Sequence, residues 1–176
     1  MNELDIRFKD LPIDRNLDQF LGELIQELAS TLEDVVGLDE AKIFISAVGT
    51  RIGNRMNDEY REATQSERLD IEQIAATLVD LKRRIKGGFS IEAISEKEIV
   101  LVNTRCPFGD RVIGLKSLCM MTSNVFGRIT ADNYGYAKVN IEKSIASGDK
   151  SCRVIISLKP DDKPVSLNSC EYFSKD

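Results

Sequence analysis

Histidine and tryptophan are both absent from the 176 residues of this chain. Because histidine is the usual general base near neutral pH, its absence excludes Ser-His-Asp triads, Cys-His pairs and histidine-ligated zinc or haem. Any metal must then be held by cysteine, carboxylate or backbone groups. We therefore assign no catalytic residue and expect a protein that is not an enzyme.

Long apolar runs are also missing. No stretch approaches the about 18 apolar residues of a membrane span, and the N-terminal sequence MNELDIRFKD lacks the apolar segment of a signal peptide. We therefore expect a cytoplasmic protein that does not associate with membranes. In that reducing compartment the four cysteines are expected to be free thiols rather than disulfides.

A strongly basic surface is a third absence. The net charge is −5 and the isoelectric point is about 5.0, which argues against direct binding to nucleic acid. The densest run of cations, KRRIK at residues 82–86, stands just before two glycines. Cations there complement the dipole at the C-terminal end of a helix, and this is the interpretation we prefer.

The apolar residues that are present follow a helical period in the first half of the chain. Their spacing predicts helices over about 16–36, 38–62 and 69–86, preceded by an arm at 1–15. Gly37 is expected to end the first helix, since glycine is common just past a helix C-terminus.

Two glycines interrupt the second predicted helix. Gly49 and Gly53 stand four residues apart and so share one face. Glycine destabilises a helix interior by about 1 kcal/mol relative to alanine, so the pair needs a structural reason. The pattern predicts that another stretch of backbone approaches the helix closely at these two positions.

The second half of the chain changes to the two-residue period of β-strands. A hairpin is predicted over about 88–94 and 98–105, and a helix over about 115–133 follows it. A second hairpin comes next, with its turn at 147–150 and with Cys152 on the apolar face of its returning strand. The first strand of this hairpin is predicted to extend as far as Ile145.

Three helices, a hairpin, a helix and a second hairpin make an α+β order rather than an alternating α/β one. We expect an α+β fold in which N-terminal helices precede an antiparallel sheet of two hairpins with an intervening helix. The sheet is expected to have four or five strands and to be covered by helices on one side. The expected organisation is an arm at 1–15, a single domain at 16–160 and a polar C-terminal tail at 161–176.

Three of the four cysteines stand at the ends of predicted elements. Cys106 leaves a strand into a loop with Pro and Gly, Cys119 lies in the first turn of a helix, and Cys152 opens a strand. The dipole and free N–H groups of a helix N-terminus are expected to stabilise a thiolate at Cys119. If these ends converge at one rim of the sheet, three thiolates suit zinc or an iron–sulfur cluster. Cys170, Glu142 or a small molecule would supply a further ligand.

The same cysteines have a structural interpretation. The sequence contains no Cys-x-x-Cys pair, and free cysteine is among the residue types most often buried as a small apolar side chain. Cys152 shares its strand face with Val154 and Ile156, as a core cysteine would. From the residues alone, a metal or redox site and a cysteine-containing core both stay open.

The segment from Cys106 to Leu158 contains CPFGD, SLCMMTSNVFG and a Gly-Asp turn before Cys152. In this segment the chain resembles the methanogen output domain, a signalling module of archaea and bacteria, and more distantly the 4-vinyl reductase-type domain. The wider group opens a helix with a cysteine, carries a glutamate on the next strand and opens the last strand with another cysteine. Cys119, Glu142 and Cys152 occupy those positions here.

This resemblance implies a small α+β fold that dimerises and binds small molecules. Some sensors of the wider group hold a structural zinc through cysteines and a glutamate, and one of those cysteines stands near the position of Ser144. Cys106 is then the residue expected to replace that ligand here. The candidate ligand contacts flank the matched cysteines and are Phe108, Met121, Thr122 and Phe126.

Together these features favour a sensory or regulatory signalling module that forms a homodimer and acts through a partner protein. It is expected to bind zinc, an iron–sulfur cluster or a small ligand at the cysteines. Two alternatives stay open: a thiol-dependent enzyme of the vinyl-reductase-like group with Cys119 as nucleophile, and a dimeric interaction module with structural cysteines. The sequence has neither the G-x-G-x-x-G nor the P-loop motif of a nucleotide cofactor site.

Overall fold

The computed structural model describes residues 10–160 and 169–174. These residues form four α-helices and a five-stranded antiparallel sheet, which confirms the predicted α+β class. Residues 1–9 of the predicted arm, and residues 161–168 and 175–176 of the predicted tail, lie outside the described part of the chain.

Caps in the sequence set several of the helix ends. The helices are α1 at Leu17–Val36, α2 at Leu38–Thr64, α3 at Ile71–Arg84 and α4 at Cys119–Tyr134. Asn16 and Asp70 form capping boxes with the glutamines three residues later, which fix the starts of α1 and α3. No α-helix in the described ranges combines the length and apolarity needed to cross a lipid bilayer.

The two predicted hairpins form one continuous sheet. Its strands are β1 at Phe89–Ile94, β2 at Glu98–Asn103, β3 at Tyr136–Lys143, β4 at Cys152–Ser157 and β5 at Ser169–Phe173. All neighbours are antiparallel, in the order β1-β2-β4-β3-β5. The two hairpins are therefore joined where β2 pairs with β4 at the centre of the sheet.

The fifth strand corrects the predicted C-terminal tail. The short sequence SCEYF forms β5, which pairs with β3 so that Tyr172 lies opposite Ala137. Its buried residues are Ser169 and Tyr172, which are three positions apart. Because this spacing does not match the two-residue period of a strand, the sequence pattern gives no signal for β5.

The third strand is shorter than predicted. β3 ends at Lys143, and Ile145 lies instead in a 3₁₀ turn at Ile145–Ser147. The hydroxyl of Ser144 accepts a hydrogen bond from the backbone N–H of Ser147 at 3.2 Å, which closes this turn. The residues between β3 and β4 therefore fold as a compact turn rather than as an extension of the strand.

The fourth helix lies at the centre of the fold. It packs on β3 and β5 with one side and on α2 with the other, while α3 packs beside it and on β1. The outermost helix, α1, lies against α2. The main core lies between the α3–α4 pair and the sheet and includes Ile74, Leu78, Ile129, Val139 and Ile156.

The close backbone approach predicted at Gly49 and Gly53 is made by α4. A Cβ added at Gly49 would stand 2.9 Å from the Cβ of Asn124. A Cβ added at Gly53 would stand 3.1 Å from the Cα of Val125. These distances are shorter than carbon–carbon contacts between side chains normally are, so glycine permits the observed separation of α2 and α4.

The outermost helix buries little of its predicted apolar stripe, since Ala29 is the one fully buried residue described on α1. We define the exposed α1–α2 surface by the apolar side chains of these two helices that are 41% to 69% exposed, namely Leu17, Phe20, Leu21, Leu24, Leu28, Ile43, Phe44 and Val48. Exposed apolar side chains in such numbers are typical of a contact surface for another protein.

Gly49→Ala is expected to lower the free energy of unfolding by about 1–3 kcal/mol, because overpacking against Asn124 outweighs the better helix propensity of alanine. Gly22→Ala in α1 is the matched control, since its added Cβ would meet only the flexible Arg111 side chain, at 3.5 Å. The control should be neutral or stabilising by up to about 1 kcal/mol. Urea unfolding followed by circular dichroism measures both, and equal effects would contradict the close contact.

Candidate functional site

One cavity of about 70 Å³ is lined by three of the four cysteines, Cys106, Cys119 and Cys152. The first comes from the loop after β2, the second is the first residue of α4, and the third is the first residue of β4. The three element ends, whose convergence the sequence left open, therefore meet at one place. All three side chains are half-buried and none is in a disulfide.

The buried side chain of Asn103 holds the end of β2 next to this cavity. Its Oδ1 accepts hydrogen bonds from the backbone N–H of Gly88 at 3.0 Å and of Arg105 at 3.1 Å. Its Nδ2 lies 3.8 Å from the sulfur of Cys152, the residue opposite it in β4. Asn103 thus positions the loop that carries Cys106 relative to β4, a role that the sequence analysis missed.

The predicted stabilisation of a thiolate at Cys119 is wrong. A 3₁₀ turn at Lys116–Leu118 runs directly into α4, so the backbone N–H of Cys119 already donates to the carbonyls of Lys116 and Ser117. This N–H is therefore not free to stabilise negative charge. Burial raises the pKa of Cys119 to about 11, and a hydrogen bond with Ser144 offsets the effect only in part.

Burial acts in the same direction on Cys106. It raises the pKa of this thiol, against a smaller opposing effect of a hydrogen bond with the backbone of Phe108. Near neutral pH these two thiols are therefore protonated, and a protonated thiol is a poor nucleophile and a poor metal ligand. The arrangement favours a neutral cavity lining over the thiol-dependent catalysis considered from the sequence.

Lys82 lines the cavity, whereas the sequence analysis placed it among the cations at the C-terminal end of a helix. Only 5% of its surface is exposed, although it belongs to the basic run interpreted as a helix end. Its Nζ donates to Oγ1 of Thr122 at 2.8 Å and lies 5.7 Å and 5.3 Å from the ring centroids of Phe89 and Phe126. Burial lowers the pKa of Lys82 to about 8, while the three cysteines act in the opposite direction.

A sequence signal for the inward direction of Lys82 does exist. Ile74, Leu78 and Lys82 are four residues apart and so lie on one face of α3, where both apolar members are fully buried. Arg83 and Arg84 instead form ion pairs at the surface. Of the four cations in the basic run, two therefore stand at a helix end, one lines the cavity, and the fourth, Lys86, pairs with Asp18 of α1.

The predicted ligand contacts are divided between the cavity and the core. Phe108, Met121 and Thr122 line the cavity. Phe126 is fully buried and packs edge-to-face against Phe89, with the ring centroids 5.3 Å apart. The rest of the wall is largely apolar and includes Val112, Leu118, Ile145, Ala146 and Val154.

The two further metal ligands considered from the sequence do not join the three cysteines. Glu142 pairs with Arg153 at 2.7 Å on the surface, and Cys170 packs against the main core from β5. Within residues 10–160 and 169–174, no group of three or more Cys, Asp or Glu side chains is arranged to hold a metal ion. The zinc or iron–sulfur assignment therefore stays a prediction without support from the described residues.

Lys82→Met is expected to raise the free energy of unfolding near pH 7 by about 1–4 kcal/mol, because a buried charge without a carboxylate partner among the described residues is replaced by an apolar side chain of similar length. The pKa of Lys82 falls from 10.5 to about 8 on folding. Since the unfolded chain binds more protons between these values, the wild type recovers stability as the pH rises through them. The advantage of the variant should shrink accordingly.

Urea unfolding near pH 7 and near pH 10 measures this difference. Arg83→Met, which removes an exposed cation from the same helical turn, is the control and should change the free energy of unfolding by less than about 0.5 kcal/mol at either pH. An advantage of Lys82→Met that stays constant between the two pH values would mean that the ammonium is not desolvated in the folded protein.

Comparison with solved structures agrees with this fold. The chain is similar to a trafficking protein particle complex subunit 3 from Naegleria fowleri, which was solved covalently bound to palmitic acid. The TM-score is 0.56 and the sequence identity is 15%, over 81% of this chain and 97% of that chain. At this identity the likeness shows the fold alone. No curated protein matches the chain.

A comparison with protein families is more specific. The family described as Methanogen output domain 1 matches residues 24–157, from within α1 to the end of β4. The matched range contains the three cavity cysteines and Lys82, and it includes the segment from Cys106 that carries the sequence resemblance. The chain therefore belongs to the Methanogen output domain 1 family.

Proposed function

We propose that this chain is a signalling output domain whose state is set by a small, mostly apolar molecule bound in the cavity lined by Cys106, Cys119 and Cys152. One observation carries the proposal: separate helices, strands and loops converge on a cavity whose wall is apolar apart from a few polar groups. Small-molecule sites usually have this composition. The wall also contains the buried ammonium of Lys82, which would only destabilise the fold if the cavity served packing alone.

Two comparisons support the proposal. The family description names an output domain, which is consistent with a role in signalling. The protein of similar fold from Naegleria fowleri was solved covalently bound to palmitic acid, which is a largely apolar molecule. In the present chain, the thiols of three cysteines and the ammonium of Lys82 line the cavity and give it polar groups that a bound molecule could contact.

The wall of the cavity also contacts the outermost helix. Val112 and Leu118, from the two short turns before α4, pack in one cluster with Ala29 of α1. The carboxylate of Glu33 on α1 accepts a hydrogen bond from the backbone N–H of Ser117 at 3.1 Å. A ligand that shifts this wall therefore shifts α1, which carries part of the exposed α1–α2 surface. This contact is the proposed path from the ligand to a partner.

Ligand binding is tested by calorimetric titration of alkanols, alkanamides and alkanoates of about two to four carbons, a size that suits the cavity volume. At least one probe is expected to bind the wild type saturably. Ala146→Leu should abolish that binding, because the larger side chain fills a cavity of only about 70 Å³. Ala93→Leu makes the same change at an exposed position of β1 and should leave binding unaltered.

Val112→Phe fills the same cavity from a different segment, so the test does not depend on how well one variant folds. Both cavity-filling variants are checked by urea unfolding beside the wild type. Absence of saturable binding to the wild type, or unchanged binding to both filled variants, would reject the ligand. The three cysteines would then be structural and belong to the core of a dimeric interaction module, which is one of the two alternatives left open by the sequence.

The expected homodimer is the second part of the proposal, with the exposed α1–α2 surface as the contact between copies related by a two-fold axis. Leu28→Asp places a charge on this surface and is expected to convert the dimer to a monomer. Ile91→Asp, at an exposed position of the edge strand β1, is the matched control and should remain dimeric. Light scattering at micromolar concentration measures both, and a monomeric wild type would remove the homodimer.

A further inference from the structure

The polar groups that face the cavity are mainly hydrogen-bond donors. The ammonium of Lys82 has three N–H bonds, and one of them reaches Oγ1 of Thr122. Because this oxygen accepts from Lys82, the hydroxyl proton of Thr122 is available to another acceptor, and no described residue takes it. The Nδ2 of Asn103 has the sulfur of Cys152, a weak acceptor, at 3.8 Å. The acceptor oxygens of Asn103 and Ser144, which also line the cavity, already accept hydrogen bonds from backbone N–H groups. The wall therefore offers a ligand mainly donors.

The ammonium of Lys82 also lacks a counter-ion. No carboxylate of the described residues forms an ion pair with it, and its neighbours are two aromatic rings, a hydroxyl and thiols. Aromatic rings stabilise a desolvated cation by about 2 kcal/mol, which is less than the several kcal/mol lost on burying it. Cys106 and Cys119 do not supply the missing charge near neutral pH, because burial raises the pKa of both thiols.

The size of the cavity favours a thin ligand. Its volume is about 70 Å³. That is roughly half of the about 150 Å³ of an engineered protein cavity that binds benzene. An alkyl chain has a smaller cross-section than an aromatic ring, and the wall next to the thiols is aliphatic at Val112, Ile145 and Ala146.

We infer that the ligand of this cavity is a short-chain carboxylate, whose head group accepts hydrogen bonds from Lys82 and Thr122 and whose alkyl chain lies along the aliphatic wall. The inference rests on the proposed function and names the chemical class of its ligand. A carboxylate supplies both the acceptor and the negative charge that the wall lacks. An uncharged molecule of the same size leaves the ammonium without a counter-ion and binds more weakly.

Propanoate and propanamide are the matched probes, because they share one alkyl chain, are smaller than benzene and differ in the charge of the head group. Near pH 7 the wild type is expected to bind propanoate about tenfold or more tightly than propanamide in calorimetric titrations. Lys82→Met should lose this preference and keep its affinity for propanamide. Arg83→Met removes an exposed cation of the same helical turn and should keep the preference. This control distinguishes a direct contact with Lys82 from a general effect of surface charge.

The wild type alone provides a second measurement. Propanoate affinity should fall as the pH rises above about 8, where Lys82 loses its proton, while propanamide affinity stays constant. The other titratable groups facing Lys82 are Cys106, Cys119 and Cys152, and all three are retained in Lys82→Met. Loss of the pH dependence in Lys82→Met assigns the effect to the lysine.

Each remaining outcome overturns a defined part of the inference. Equal affinity of the wild type for the two probes removes the carboxylate but leaves a small-molecule site. A preference for propanoate that survives in Lys82→Met, or that disappears in Arg83→Met, removes the role of Lys82. If neither probe binds, the short-chain acid is rejected, and the wider panel of alkanols, alkanamides and alkanoates decides whether the proposed function falls with it.

Discussion

Packing on both sides of α4 is the constraint on which the rest of the structure depends. Toward α2, Gly49 and Gly53 let two helix backbones meet without intervening side chains. Toward the sheet, a Cβ on Gly127 would stand only 2.1 Å from the ring of Tyr172. The helix is therefore held where an added carbon clashes on either side. Because α4 starts at Cys119, the same contacts determine where that thiol stands relative to β2 and β4.

Burial then decides the chemistry of the groups around this helix start. A helix N-terminus stabilises a negative charge by about 0.3–2 kcal/mol, and at Cys119 the opposing effect of burial is larger. The same environment destabilises the charged form of Lys82, so thiol and amine are both driven toward neutrality. Position in a helix is visible in a sequence, whereas the depth of burial follows from tertiary packing. This difference explains why a stabilised thiolate was predicted for Cys119, although burial raises the pKa of this thiol.

Apolar periodicity predicts much of the fold because most helices and strands bury a regular face. It fails for β5, whose buried residues are Ser169 and Tyr172 and whose pairing with β3 joins distant segments. The places of the three cysteines at element ends made their convergence possible, but the sequence left it open beside a core interpretation. The buried position of Lys82 is harder to predict from the sequence, because the aromatic rings that surround its ammonium, Phe89 and Phe126, belong to other elements. Its four-residue spacing from Leu78 is a real signal that the usual surface location of charged residues obscures.

The cavity takes its wall from α3, α4 and the strands β1 to β4, so it exists only while these elements are assembled. A molecule that occupies it binds the folded chain and not the unfolded one, and mass action then adds about 2.7 kcal/mol of stability at a hundredfold excess over Kd. Since proteases act on the unfolded chain, a molecule bound in this way would lengthen the half-life of the protein. Under the proposed function, the amount of folded protein in the cell would therefore depend on the supply of the ligand.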